Sequence, residues 1–217
     1  IGSVICNTAL IMALSLVFMP IAVNKKDFTP KALLLLASVI ALFVLSLGGS
    51  VSIMGAAVLL VIFVLFMLEN IRSAKSQPDD EETEKPQVTR KEMLMHIGMI
   101  IAGAVCIVIG SNLLVNNGTE IARMLGVSEA IIAVTMVALG TSLPELVTAI
   151  TSIVKKQASM SVGNVVGANI IDVTLILAIC SFVYRGNLPV STINIYLDFP
   201  VAIIASAIAV IPPVLTG

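Results

Sequence analysis

From Ala32 to Leu68 the chain carries no charged residue. That stretch is too long for one crossing of a bilayer, which takes about 20 apolar residues, and about right for two. Gly48-Gly49-Ser50 divides it. Further uncharged stretches run from Met93 to Thr119, from Ala130 to Val154 broken only by Glu145, from Gln157 to Tyr184 broken only by Asp172, and from Phe199 to Gly217. Hydrocarbon offers backbone groups no hydrogen-bond partner, so helix is the economical way to cross it. Only 12% of residues are charged and the mean hydropathy is +1.10, against about 25% charged residues in a soluble domain. The chain therefore reads as an all-α integral membrane protein, with spans near 1–22, 32–47, 51–68, 93–115, 129–154, 160–183 and 196–215.

If these spans alternate in direction, ten of the twelve Lys and Arg residues fall on one side, and only Arg123 and Arg185 on the other. That bias places the charged stretch 69–92, with its acidic run Asp79 to Glu84, in the cytoplasm as a solvated linker. The expected organisation is three spans in 1–68, the cytoplasmic loop 69–92, and four spans in 93–217. The lipid bilayer of a plasma or inner membrane is the expected surrounding, and a net charge of −1 gives no electrostatic case for nucleic acid. Cys6, Cys106 and Cys180 lie within apolar stretches without pairing or metal spacing and read as buried small hydrophobes. His96 stands near a span's start and reads as an interfacial residue. The chain opens at Ile1, already inside an apolar segment, and stops at Gly217 as a span finishes, so an excerpt of a longer protein is expected.

The opening "IGSVICNTALIMAL" aligns with "VGANIIDVTLILAI" at 166–179. The pairs Gly2/Gly167, Ile5/Ile170, Leu10/Leu175, Ile11/Ile176 and Ala13/Ala178 are identical, and Asn7 falls opposite Asp172. These are the first and sixth spans, so they cross in opposite directions. Inverted repeats of this kind mark secondary transporters, whose ion sites lie at the repeat interface near the midplane.

The segment "ALGTSLPELVTAI" (138–150) places Glu145 in an otherwise uncharged span. Gly140 and Pro144 weaken the helix there and free carbonyls around Leu139 and Gly140. Thr141, Glu145, Thr148 and Ser152 share a helical face, with Ser142 beside the break. A stripe of hydroxyl, carbonyl and carboxylate oxygens suits a hard cation such as Ca²⁺ or Na⁺. In the sixth span Asn164, Ala168 and Asp172 share a face with Asn169 close by, and Gly163 and Gly167 are spaced to let another helix approach. Charges at membrane depth cost ~2.5–3.5 kcal/mol each on insertion scales, so two of them point to function. The plainer readings are an N-cap at Thr141-Ser142 with the glutamate in a first turn, a protonated structural acid at Asp172, and an interfacial carboxylate at Asp198.

"GTSLPELVTAI" followed by "GNVVGANIID" resembles the second α-repeat of the cation/Ca²⁺ exchanger superfamily, especially prokaryotic sodium/calcium exchangers, and "IGSVICN" resembles the tail of the first α-repeat. The resemblance implies an inverted-repeat exchanger fold of ten spans, of which about seven are present. It also implies a Ca²⁺/Na⁺ antiporter working by alternating access, with no enzymatic activity, no catalytic residue and no cofactor beyond the transported ions. In that pattern Glu145 is the shared ion carboxylate, with Thr141 and Ser142 as oxygen ligands. Ala138 offers its backbone carbonyl, Asp172 and Asn7 flank the central site, and Ser3 is a sodium-liganding hydroxyl. Asn169 and Ala168 occupy positions close to these. Where the family has Gly-Ser-Asn, this chain has Gly167-Ala168-Asn169, and Val4 replaces an asparagine. The lost hydroxyl keeps a Ca²⁺/H⁺ exchanger open as an alternative, with K⁺ coupling as a third, and a cation channel or structural subunit as readings of another class. The first-repeat G-T-S-x-P-E is absent from these residues, so the missing half of the site has to come from a longer chain or from a second copy.

Overall fold

The computed structural model describes residues 1–18, 25–76, 89–156, 158–185 and 187–216. The first crossing is α1 (Gly2–Ile5), a π-helical segment (Cys6–Met12) and α2 (Ala13–Phe18). Then come α3 (Lys25–Ser46), β1 (Ser50–Val51), α4 (Ile53–Ser76), α5 (Arg90–Met124) and α6 (Glu129–Val154). The sixth crossing is α7 (Ala158–Ile171), a second π-helical segment (Asp172–Ile176) and α8 (Leu177–Tyr184). After β2 (Leu188–Pro189), a third π-helical segment (Asn194–Asp198) runs into α9 (Phe199–Thr216). Six helices are long and apolar enough to cross a membrane, and Gly2–Phe18 forms a shorter apolar one. Six of the expected seven crossings are thus helices of spanning length, and the described part of the first is a shorter helix.

Several boundaries move outward. α3 begins at Lys25 rather than 32, α4 continues through Glu69 to Ser76, and α5 runs from Arg90 to Met124. Residues 69–76 and 90–92, assigned above to the charged loop, are thus helical. Charge marks where a helix leaves hydrocarbon, and the backbone has no reason to unwind there. Thr89 caps α5, its backbone N–H donating to Glu92 Oε2 at 2.9 Å. The acidic run 79–84 lies outside the described residues.

Two ties at opposite ends of the bundle agree with strict alternation. β1 and β2 pair antiparallel, Ser50 with Pro189 and Val51 with Leu188, and Val190 N–H donates to Gly49 O at 2.9 Å. The turn after α3 therefore sits beside the connection after α8. At the other end Lys25 Nζ donates to the Leu215 carbonyl at 2.8 Å, joining the start of α3 to the end of α9.

The core lies where α3, α7 and the two repeat segments meet. Leu35, Val39, Val4, Ile170 and Val173 are almost completely buried there, and Phe199 packs against Phe43 with ring centroids 5.8 Å apart. α5 is the opposite case, since no residue of its apolar stretch is buried within the chain. Cys106 on α5 and Cys180 on α8 are exposed and only Cys6 is partly buried, which corrects the buried reading of the three cysteines. An exposed apolar side chain on a membrane helix meets lipid or another helix, so burial within the chain is not required of it. His96 is likewise exposed on α5.

The close helix approach is not at Gly163 and Gly167. A Cβ on Gly163 would meet nothing within 4 Å, and one on Gly167 only an ordinary contact with Phe66 at 3.5 Å. It is at Gly140, where a Cβ would stand 2.3 Å from Val115 Cγ2, so α5 and α6 cross in contact at that glycine.

Candidate ion-binding site

Pro144 sits inside α6, which runs unbroken from Glu129 to Val154. Its missing N–H leaves the Gly140 carbonyl without the usual intrahelical donor, yet the helix neither ends nor restarts there. That removes the N-cap reading of Thr141-Ser142, since the N-cap of this helix is Ser128.

α6 packs across α1 and the first π segment, and this crossing assembles the polar centre. Ser3 Oγ donates to Asp172 Oδ2 at 3.0 Å. Thr141 Oγ1 lies 3.5 Å from Ser3 Oγ and bonds back to the carbonyls of Val137 (3.0 Å) and Ala138 (3.1 Å). Ser142 Oγ, buried, makes a long 3.5 Å contact with the Ser3 carbonyl. One polar line thus joins α6, α1 and the second π segment through Thr141, Ser3 and Asp172. On its far side Asn7 Nδ2 donates to Asn169 Oδ1 at 2.9 Å, deep in the core.

Two acceptor atoms in this centre have no donor: Glu145 Oε2 and Asn7 Oδ1, both buried. An unpartnered buried acceptor carries a desolvation penalty of about 1–3 kcal/mol, and more when charged. A bound cation would relieve either. Among the described residues no three His, Cys, Asp or Glu side chains gather as a metal cluster. The donor set is instead two carboxylates among amide, hydroxyl and backbone oxygens, which is hard-cation chemistry.

The expected residues divide as follows. Glu145, Thr141, Ser142, Ala138, Ser3, Asn7 and Asp172 lie on four elements: α6, α1 and the first two π-helical segments. Ala168 is adjacent but offers no side-chain oxygen. Asn169 is completely buried with both halves of its amide bonded, its Oδ1 accepting from Asn7 and its Nδ2 donating to Thr8 Oγ1 at 2.8 Å. Asn164 turns away from Asp172 and donates to Thr148 Oγ1 at 2.9 Å, bolting α7 to α6. Asp198 is 9% exposed and accepts from Asn194 Nδ2 at 2.8 Å, so it is a buried, bonded carboxylate immediately before the start of α9. Its place at the edge of an uncharged stretch hid this.

Thr8 was missed. A signal existed in the repeat alignment, where Thr8 faces Val173 and Val4 faces Asn169: the polar partner changes sides between the copies. The π segments were invisible too, although two of them fall at the aligned residues Asn7 and Asp172, where such turns commonly mark function.

A family model described as sodium/calcium exchanger protein matches residues 1–71 and 95–216. The chain belongs to the sodium/calcium exchanger family. It is 33% identical over 182 residues to an uncharacterized membrane protein of Methanocaldococcus jannaschii, over 83% of this chain and 58% of that relative. To the inner membrane protein YrbG of Escherichia coli it is 31% identical over 195 residues, over 87% and 60% of the two chains. Among solved structures the sodium-calcium exchanger NCX_Mj is similar at a TM-score of 0.73 and 28% identity, over 97% of this chain and 66% of that one. This exchanger-family chain therefore spans about three fifths of the length of the curated relatives it matches, and its all-α membrane architecture is that of the exchanger structure.

Proposed function

We propose that this chain carries half of the ion-binding centre of a secondary-active antiporter exchanging Ca²⁺ for Na⁺ by alternating access. The observation that supports it most is the pair of buried acceptors without donors, Glu145 Oε2 and Asn7 Oδ1, at the junction of two inverted repeats. Glu145 holds either calcium or sodium, with Thr141, Ser142, Ser3, Asp172 and the Ala138 carbonyl supplying further oxygens. Competition for one carboxylate couples the two fluxes, because a ligand moves a conformational equilibrium only by its differential affinity for the two states. A first-repeat segment bearing its own carboxylate completes the site, from the same full-length chain or from a second copy. The cavity of about 760 Å³ bounded by Ser3, Thr141, Asp172 and Asn194 gives it room. The protein lies in the cell membrane with the charged stretch 69–92 on the cytoplasmic side, a sidedness supported by the bias of Lys and Arg.

Ala168 supports a second reading, Ca²⁺/H⁺ exchange, because one hydroxyl of the sodium pattern is absent there. Radioactive calcium uptake into liposomes holding the full-length protein separates the two. Uptake driven by an outward sodium gradient and lost in Glu145→Gln is the expected result. Uptake indifferent to sodium but driven by a proton gradient moves the assignment to Ca²⁺/H⁺ exchange, and uptake that survives Glu145→Gln refutes the role of the carboxylate.

A further inference from the structure

Three buried side chains beside the ion centre form a relay whose polarity is fixed at one end. Thr8 Oγ1 donates its single hydrogen to the Val4 carbonyl at 2.7 Å, an atom that can only accept. With that hydrogen spent, the Thr8 oxygen can only accept from Asn169, so the Asn169 amide nitrogen must face Thr8, at 2.8 Å. The Asn169 oxygen is thereby turned toward Asn7 and must receive a hydrogen, which brings the Asn7 nitrogen to it at 2.9 Å. The Asn7 oxygen is left on the opposite side of its amide, buried and without a donor. Asn7, Thr8 and Asn169 are each at most 2% exposed, so no water competes with this ordering.

We propose that Thr8 and Asn169 are positioning residues: they lock the Asn7 amide so that it presents oxygen, and never N–H, to a transported cation. This rests on the cation-exchange reading above. An amide is the one polar ligand that can be wrong way round, since a flipped Asn7 would aim two N–H donors at a positive ion. The other repeat supplies the control. Asp172 stands opposite Asn7, and its two carboxylate oxygens are equivalent, so it has no orientation to lose. The positions that would build the matching relay there hold Val4 and Val173, both fully buried. The clasp exists on the amide side and is apolar on the carboxylate side.

The test is the calcium concentration giving half-maximal uptake by the full-length protein in sodium-loaded liposomes. Thr8→Val is nearly isosteric and removes the fixed point, so Asn169 and Asn7 can turn over together. Half-saturation should rise about 10- to 100-fold, the usual cost of losing an outer-shell partner of a metal ligand, with the maximal rate largely kept. Thr8→Ser keeps the hydroxyl and should stay near wild type, and Thr8→Ala, which adds no bulk, is read in the same way as Thr8→Val. In an Asn7→Asp background the Thr8→Val effect should disappear, because a carboxylate has no wrong face and Asn169 is free to donate to it. Unchanged half-saturation in Thr8→Val and Thr8→Ala overturns the inference. An equal loss in the Asn7→Asp background also overturns it, because the threonine would then be acting through packing alone. A wild-type protein that moves no calcium overturns the exchange reading itself and this inference with it.

Discussion

Replacing Gly140 by alanine tests whether the crossing of α5 and α6 is as tight as the structure has it. The new methyl carbon would stand 2.3 Å from Val115 Cγ2 and 3.7 Å from Val115 Cβ. Carbons rest at about 3.5–4.0 Å, so the first contact overlaps by more than an ångström and the second is ordinary. Overpacking costs about 1–3 kcal/mol, and this overlap belongs at the upper end. Alanine regains about 1 kcal/mol of helix propensity over glycine, which leaves a net loss of about 2 kcal/mol. At roughly 2–4 °C per kcal/mol for a chain of this size, Tm should fall by about 4–8 °C. The assay is thermal unfolding of the detergent-solubilised full-length protein, run as a double-mutant cycle with Val115→Ala. That second change deletes the Cγ2 atom and leaves Cβ at its comfortable distance, so the pair should recover most of the lost stability. Gly163→Ala is the control, since a methyl there meets nothing within 4 Å. A Gly140→Ala protein as stable as wild type would refute the reasoning. So would zero coupling to Val115, or an equal loss from Gly163→Ala.

Arg123 and Glu129, both exposed, form an ion pair across the α5–α6 turn. The hydrogen bond from Arg123 holds the Glu129 carboxyl below its usual value of 4.5. The pair therefore adds stability above that ordinary value and loses it as pH falls through the depressed one. A small Tm deficit of Glu129→Gln at neutral pH should begin to shrink as pH falls past 4.5 and vanish below the depressed value, and it should also vanish in high salt; a deficit that persists in acid would show that the ion pair is not its source. Sidedness is tested with single cysteines in a cysteine-free background. Thr192→Cys should label with a membrane-impermeant maleimide from outside intact cells, and Lys155→Cys only after permeabilisation; the reverse pattern would invert the assigned topology.

The crossings were legible because hydrocarbon imposes one requirement on every residue within it, and an uncharged stretch such as Ala32 to Leu68 answers it visibly. Helix ends were not legible, because nothing compels Glu69–Ser76 to unwind on reaching water. Glu145 and Asp172 stood out as charges at membrane depth, and their neighbours Thr141, Ser3 and Asn7 followed from spacing and resemblance. The roles of Asn169 and Thr8 did not follow, since a buried amide can hold either an ion or another ligand. Only the direction of its hydrogen bonds tells the two apart. Gly140 was read as a helix weakener when its use is steric, a fact that depends on α5 passing at that height.

A π turn is an α-helix holding one residue more than it needs. At about 100° per residue, that surplus sets the rotational phase of everything beyond it. In Cys6–Met12 and Asp172–Ile176, chain length is therefore itself a specification. Removing one residue from either would leave composition and hydropathy almost untouched and would still make a membrane helix. It would nevertheless turn the far half of that crossing by more than a quarter of a circle. The two copies of the repeat align without a gap over 1–14 and 166–179, and natural variation inside these segments should take the form of substitution, with insertions and deletions confined to the turns between crossings.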